Sequence, residues 1–141
     1  MAERATDDWV MVHTAHDFHD RPVSGIAEFR GAPHAFAREW DEAADDWSDF
    51  VRLSPITDEQ LRAVQESQSI FVRWLARYHA GTLGPDDEHP ALAEDWPRHR
   101  ELKSDVAAAL AVNEAIAVRA APMFRGSLMT SRFEVRWLPA D

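Results

Sequence analysis

The sequence contains no cysteine, which excludes a disulfide framework and thiolate chemistry. Only five glycines occur in 141 residues, and they form neither a phosphate-cradling loop nor a Gly-x-Ser-x-Gly nucleophile elbow. No apolar run is long enough to span a membrane, and Met1–Val10 carries acids rather than a signal-peptide core. These absences point to a cytoplasmic location with no membrane partner. Positive charge is also scarce. Fifteen basic against twenty-five acidic residues leave a net charge of -10, which repels a phosphate backbone, so no nucleic-acid partner is expected.

What is present describes a folded chain. Hydrophobic residues make up 45%, including six tryptophans and seven phenylalanines; that composition excludes disorder and collagen and suits one globular domain over residues 1–141. The charge is uneven: residues 1–56 carry -7, residues 57–96 carry -5, and residues 97–141 carry +2. An acidic face and a mildly basic end follow.

The clearest element starts at Thr57. Thr57-Asp58-Glu59-Gln60 fits a capping box, with Ile56 and Leu61 at staple positions. Leu61, Val64, Phe71, Leu75 and Tyr78 recur at helical spacing and Gly81 supplies the stop, which predicts a helix over 58–80. Gly81 to Pro90 reads as a solvated loop, and a second helix follows Pro97 with Leu102, Val106, Ala109 and Leu110 on one face.

The first 56 residues change character. Trp9 to His13, Val23 to Arg30, His34 to Trp40 and Trp47 to Leu53 are short segments rich in β-branched and aromatic residues, divided by Gly31-Ala32-Pro33 and by the acidic stretch Asp41 to Asp46. Phe133, Val135 and Trp137 alternate with charged residues as a half-buried strand does. Ala115 to Phe124, broken by Pro122, reads as an edge strand or extended connection. The expected fold is α+β: an N-terminal antiparallel meander of about four strands, two packed helices, and a C-terminal strand returning to the sheet.

The stretch Ser24-Gly25-Ile26-Ala27-Glu28-Phe29-Arg30-Gly31-Ala32-Pro33-His34-Ala35-Phe36, continued by Trp40-Asp41-Glu42 and Asp45-Asp46-Trp47-Ser48-Asp49, resembles an uncharacterised family of small bacterial proteins. The likeness extends loosely through the helix to His89-Pro90-Ala91-Leu92, about two thirds of the chain. It implies a fold and no activity, and it transfers no functional residue.

Two clusters carry candidate chemistry. His13, His16, Asp17, His19 and Asp20 are five possible ligands for zinc, manganese or iron. On a straight strand His13 and His19 face one way and His16 the other, so only a bend near Ala15 would make them converge. Asp41, Glu42, Asp45, Asp46 and Asp49, with Trp47 and its neighbours Trp40 and Phe50, form the second cluster. It fails as a calcium loop because the sixth position from Asp41 is not glycine and the twelfth is Arg52. As a partner surface it combines tryptophan with negative charge. Glu28 and Glu39, facing across the second hairpin, are a third candidate pair, with Arg30 and Arg38 as neighbours.

No catalytic residue and no cofactor emerge. The expected function is a non-enzymatic, cytoplasmic protein-binding domain whose acidic face meets a basic protein partner, the charge logic by which acidic immunity proteins neutralise basic toxins. The alternative is a metal-dependent enzyme using His13 to Asp20. Self-association, through the aromatic surface or an edge strand, is a further possibility.

Overall fold

A computed structural model describes residues 8–18, 21–126 and 132–139. The chain forms two compact units, one built of strands and one, Glu59–Ala109, of helices.

The strand unit is a closed antiparallel barrel in the order β1-β2-β3-β4-β5-β6. Its strands are β1 (Trp9–Phe18), β2 (Pro22–Phe29), β3 (Ala32–Asp41), β4 (Asp46–Pro55), β5 (Val118–Gly126) and β6 (Phe133–Pro139). The open four-stranded meander expected from sequence is therefore incorrect, for two physical reasons. First, β1 does not stop at His13. Trp9, Val10 and Met11 pair with Arg136, Val135 and Glu134 of β6, and after an irregularity between Val12 and Thr14 the strand continues along β2 as far as Phe18. One strand thus joins the first and last neighbours, as the stagger of a tilted barrel requires. Second, β5 is an interior member of the sheet. Its Val118, Arg119 and Ala120 pair with β4, and Ala120 to Gly126 pair with β6. Pro122 lies beyond the last β4 partner, so its missing N–H breaks no ladder on that side. A closed barrel also leaves no open edge among the described strands for self-association.

Inward-facing positions fill the interior. Val12, Ala27, Phe29, Phe36, Val51, Leu53, Ala120, Phe133, Val135 and Trp137 form its buried core. Trp137 meets Phe29 edge-on at 5.6 Å, and its indole N–H donates to the Glu28 carbonyl at 2.7 Å. A barrel this narrow is packed by side chains. Gly25 makes room for Phe36: a Cβ there would stand 2.1 Å from the Thr14 carbonyl oxygen and 2.9 Å from the Phe36 ring. The β2–β3 turn falls at Arg30 and Gly31, with φ of 53° and 81°, one residue before Ala32 and Pro33, which already belong to β3. Two successive positive φ values are what a tight hairpin twist demands.

In the helical unit, α1 (Asp58–Ala80) occupies its predicted span and α2 (Trp96–Leu110) follows a short 3-10 turn, Ala93–Asp95. Gly81, with φ of 70°, ends α1. Ile70, Ala91 and Leu102 form the unit's buried cluster, with Ala63, Trp96 and Val106 packed around it. The loop between the helices is built rather than merely solvated. The indole N–H groups of Trp74 and Trp96 donate to the carbonyls of Asp87 and Glu88, each at 3.1 Å, and the Asp87 carboxylate accepts from the amides of Gly84 and Ala93, each at 2.7 Å.

Candidate functional site

In an up-and-down barrel alternate connections share an end, so the β1–β2 and β3–β4 turns, which carry the two candidate clusters, are brought to the same end. The residue that ties them is Arg21, immediately before β2. Its Nη1 donates to Asp49 Oδ1 at 2.8 Å, and its Nη2 donates to the carbonyls of Trp47 and Ser48 at 3.0 and 3.2 Å.

Those carbonyls are available because β4 bulges. Arg38 pairs with Val51 and Trp40 with Trp47, so Ser48, Asp49 and Phe50 together span the gap opposite Glu39 alone. Extra residues in a bulge leave the ladder, and their polar groups find other partners. The Phe50 amide donates to the Ser48 hydroxyl at 3.0 Å. Arg38 supplies a second guanidinium: Nη1 donates to the Ser48 carbonyl at 3.0 Å and Nε to the Pro22 carbonyl at 3.1 Å. Arg38 occupies an inward position two residues after Phe36 and is only 5% exposed. Burial, reinforced by neighbouring Arg21 and opposed by Asp49, lowers its pKa to about 10, so it stays charged at neutral pH. Asp49 is held below the usual carboxylate range, chiefly by its hydrogen bond from Arg21.

This frame carries the acidic hairpin. Asp41 pairs with Asp46 and Trp40 with Trp47. The two indoles meet edge-to-face, with centroids 5.1 Å apart and planes at 89°, and Trp40 remains 48% exposed. Two carboxylates shape the turn itself. Asp41 Oδ1 accepts from the amides of Ala43 and Ala44 at 3.0 and 3.2 Å, and Asp46 Oδ1 accepts from the Trp47 amide at 2.7 Å. Asp45 takes φ of 52°, a left-handed conformation that aspartate tolerates better than most residues. Among the described residues no ion pair within 4 Å reaches Asp41, Glu42, Asp45 or Asp46, whereas Asp49 belongs to Arg21.

The histidine cluster is arranged differently. The β1 irregularity falls at His13, not at Ala15, and His13 Nε2 donates to Glu28 Oε2 at 2.8 Å. His16 Nε2 and Thr14 Oγ1 form a separate hydrogen-bonded pair at 3.2 Å. Asp17 belongs to β1, and His19 and Asp20 lie outside the described residues. Among the described residues no group of three His, Cys, Asp or Glu is placed to hold a metal ion. Glu28 and Glu39 do not face each other: Glu28 lies opposite Pro33, while Glu39 accepts from Arg119 Nε at 2.9 and 3.1 Å. Arg119 also stands 3.8 Å over the Phe50 ring, which removes Phe50 from the hairpin's aromatic surface.

Sequence reasoning missed Arg21 and Arg38. The one available signal was Arg38's place in the inward alternation with Phe36, a position where a charge must find buried partners. The helical unit adds an aromatic row that periodicity assigns to packing. Trp74 and Tyr78 stack at 5.3 Å, Phe71 lies near-parallel at 6.2 Å, and His89 meets Phe71 and Trp74 edge-on. A shallow groove of about 380 Å³ in that unit is lined by Asp86, Glu88, Trp96 and Arg100, where Arg100 already covers the Trp96 ring at 5.3 Å.

Together these features define a small closed antiparallel barrel, with a helical unit inserted between β4 and β5 and an acidic, tryptophan-bearing hairpin at one end. Compared with known proteins, the chain matches no family model, no curated protein and no solved structure. Among the described residues no helix is long and apolar enough to cross a membrane.

Proposed function

We propose that this chain is a non-enzymatic protein-binding domain whose β3–β4 hairpin docks a basic segment of a partner protein. The observation that carries the reading is Trp40: a half-exposed indole braced edge-on by Trp47, on the hairpin whose turn carries Asp41, Glu42, Asp45 and Asp46. A guanidinium or ammonium laid on that indole gains cation–π attraction of roughly 0.5–2 kcal/mol, and the negative charge of the same hairpin attracts the basic segment that carries it. The bulge and its two arginines support this by fixing the hairpin before a partner arrives, which lowers the ordering cost of binding. A cytoplasmic location belongs to the same reading and agrees with a cysteine-free chain.

The test is capture from the native host on immobilised protein. A basic partner retained at low salt, released at about 0.5 M salt, and lost with the Glu42→Lys/Asp45→Lys variant is the expected result, because exposed charge pairs are screened over about 10 Å at 0.1 M salt. Retention that ignores both salt and the charge reversal would overturn the reading.

A further inference from the structure

The end of the barrel that carries the hairpin also holds an excess of positive charge. Arg38 Nη1 and Arg21 Nη2 donate to the same acceptor, the Ser48 carbonyl, at 3.0 and 3.2 Å. Two guanidinium groups are thereby held close together, where like charges repel. A single carboxylate answers them. Asp49 accepts from Arg21 Nη1 at 2.8 Å, and among the described residues Arg38 has no ion pair. Besides burial, what acts on Arg38 is the charge of Arg21 and, less strongly, that of Asp49, so the electrostatic balance at its guanidinium is repulsive.

Donor capacity is left over as well. A guanidinium carries five N–H groups. Arg38 engages one on Nε, toward the Pro22 carbonyl, and one on Nη1; among the described residues Nη2 donates to nothing. Although Arg38 is only 5% exposed, Nη2 is not sealed from solvent. Other arginines of the chain show what a completed guanidinium looks like: Arg73 grips Asp95, and Arg98 grips Glu66, each through two nitrogens. Arg38 lacks that anion, and a desolvated cation gains most from a charge-assisted partner.

We infer that Arg38 Nη2, flanked by Arg21, binds a small oxyanion, a phosphate or a carboxylate, at this end of the barrel. An oxygen of the anion accepts from Nη2, the donor that the fold leaves open, and its charge offsets the repulsion between the two guanidinium groups. The acidic turn does not oppose this. Asp41 and Asp46 are turned onto amides of their own hairpin, and none of Asp41, Glu42, Asp45 and Asp46 is among the charges acting on Arg38. Docking of a basic segment uses Trp40 and the turn, so either site can exist without the other.

Proton–nitrogen NMR of the arginine Nε–H signals tests this, as sodium phosphate or sodium acetate replaces sodium chloride at constant ionic strength. The Arg38 signal is expected to shift saturably with at least one of the two anions. Saturation by phosphate alone assigns a phosphoryl ligand, and saturation by acetate assigns a carboxylate. Arg21→Gln, at a partly exposed position, is expected to weaken binding roughly fivefold on the Arg38 signal, the effect of one nearby unit charge at a water-like dielectric. Arg38→Met is expected to abolish the saturable shift of the Arg21 signal, with circular dichroism confirming that each variant is folded. Signals that move no more in phosphate or acetate than in chloride, or binding that both variants retain in full, overturn the inference.

Discussion

Arg38 and Ser48 are joined by a hydrogen bond of 3.0 Å from the guanidinium Nη1 to a carbonyl that the β4 bulge has released from its ladder. A buried cation is costly unless it is hydrogen-bonded, and a released carbonyl is costly unless it has a donor. Each resolves the other's deficit, and Arg21 does the same from the surface. The hairpin that carries Trp40 is therefore held by arginines rather than by continuous strand pairing.

Arg38→Met removes both donors from the Pro22 and Ser48 carbonyls while keeping most of the side-chain volume. The Ser48 carbonyl keeps its bond from Arg21, so the expected loss of stability is about 1–2 kcal/mol, from the Pro22 carbonyl at roughly 1–3 kcal/mol and one lost charge-assisted bond to Ser48, less the recovered cost of burying a charge. Urea unfolding measures it. An unchanged midpoint would mean that water reaches the Pro22 carbonyl and that Arg21 alone satisfies Ser48.

Gly25→Ala places a methyl group against the Thr14 carbonyl and the Phe36 ring. Thr14 is backbone of the paired strand and cannot yield without breaking register, so the expected destabilisation is at least the 1–3 kcal/mol typical of overpacking. Combining it with Phe36→Leu should recover part of the loss, because the ring contact at 2.9 Å is relieved.

The Asp87 carboxyl is held below its ordinary value of 3.8 by the amides of Ala93 and then Gly84. A depressed folded-state pKa means that the unfolded chain binds the proton more readily. Stability from this group is thus present above pH 3.8 and is lost as pH falls below it through the folded value. Asp49, lowered by Arg21, follows the same sign. Asp87→Asn is expected to flatten the acid side of the stability profile between about pH 5 and 2 without changing its slope near neutrality. An identical acid slope in wild type and variant would contradict the assignment.

Trp40→Ala separates binding from folding. Its indole is half exposed and outside the barrel core, so stability should fall by only about 1 kcal/mol, the order of one aromatic pair with limited burial. Partner capture should be lost. Melting far below wild type would show that Trp40 is structural rather than an anchor.

How far the sequence reveals this molecule depends on where the information lies. The span of α1 is local: Thr57 to Gln60 begins it, Gly81 ends it, and the apolar spacing between them needs no distant partner. β6 is equally plain, because Phe133, Val135 and Trp137 alternate with charges. Barrel closure is not local. It depends on β1 exchanging β6 for β2 near His13, and on β5 tolerating Pro122 just past its last β4 partner; neither event marks the composition. The acidic hairpin is readable as a turn with tryptophans, whereas the arginines beneath it answer a bulge that appears only when Val51 and Trp47 take their partners. The histidines illustrate the reverse: conspicuous in sequence, His13 and His16 go to different hydrogen-bond partners.

The most direct test of the docking hairpin follows the six tryptophan indole N–H signals by NMR as a short arginine-rich peptide is added, with a glutamate-rich peptide as control. The account predicts that Trp40 and Trp47 shift first, that the shifts vanish at about 0.5 M salt, and that Glu42→Lys/Asp45→Lys abolishes them. Shifts centred on Trp74 and Trp96 of the helical unit, with Trp40 unmoved, would contradict it.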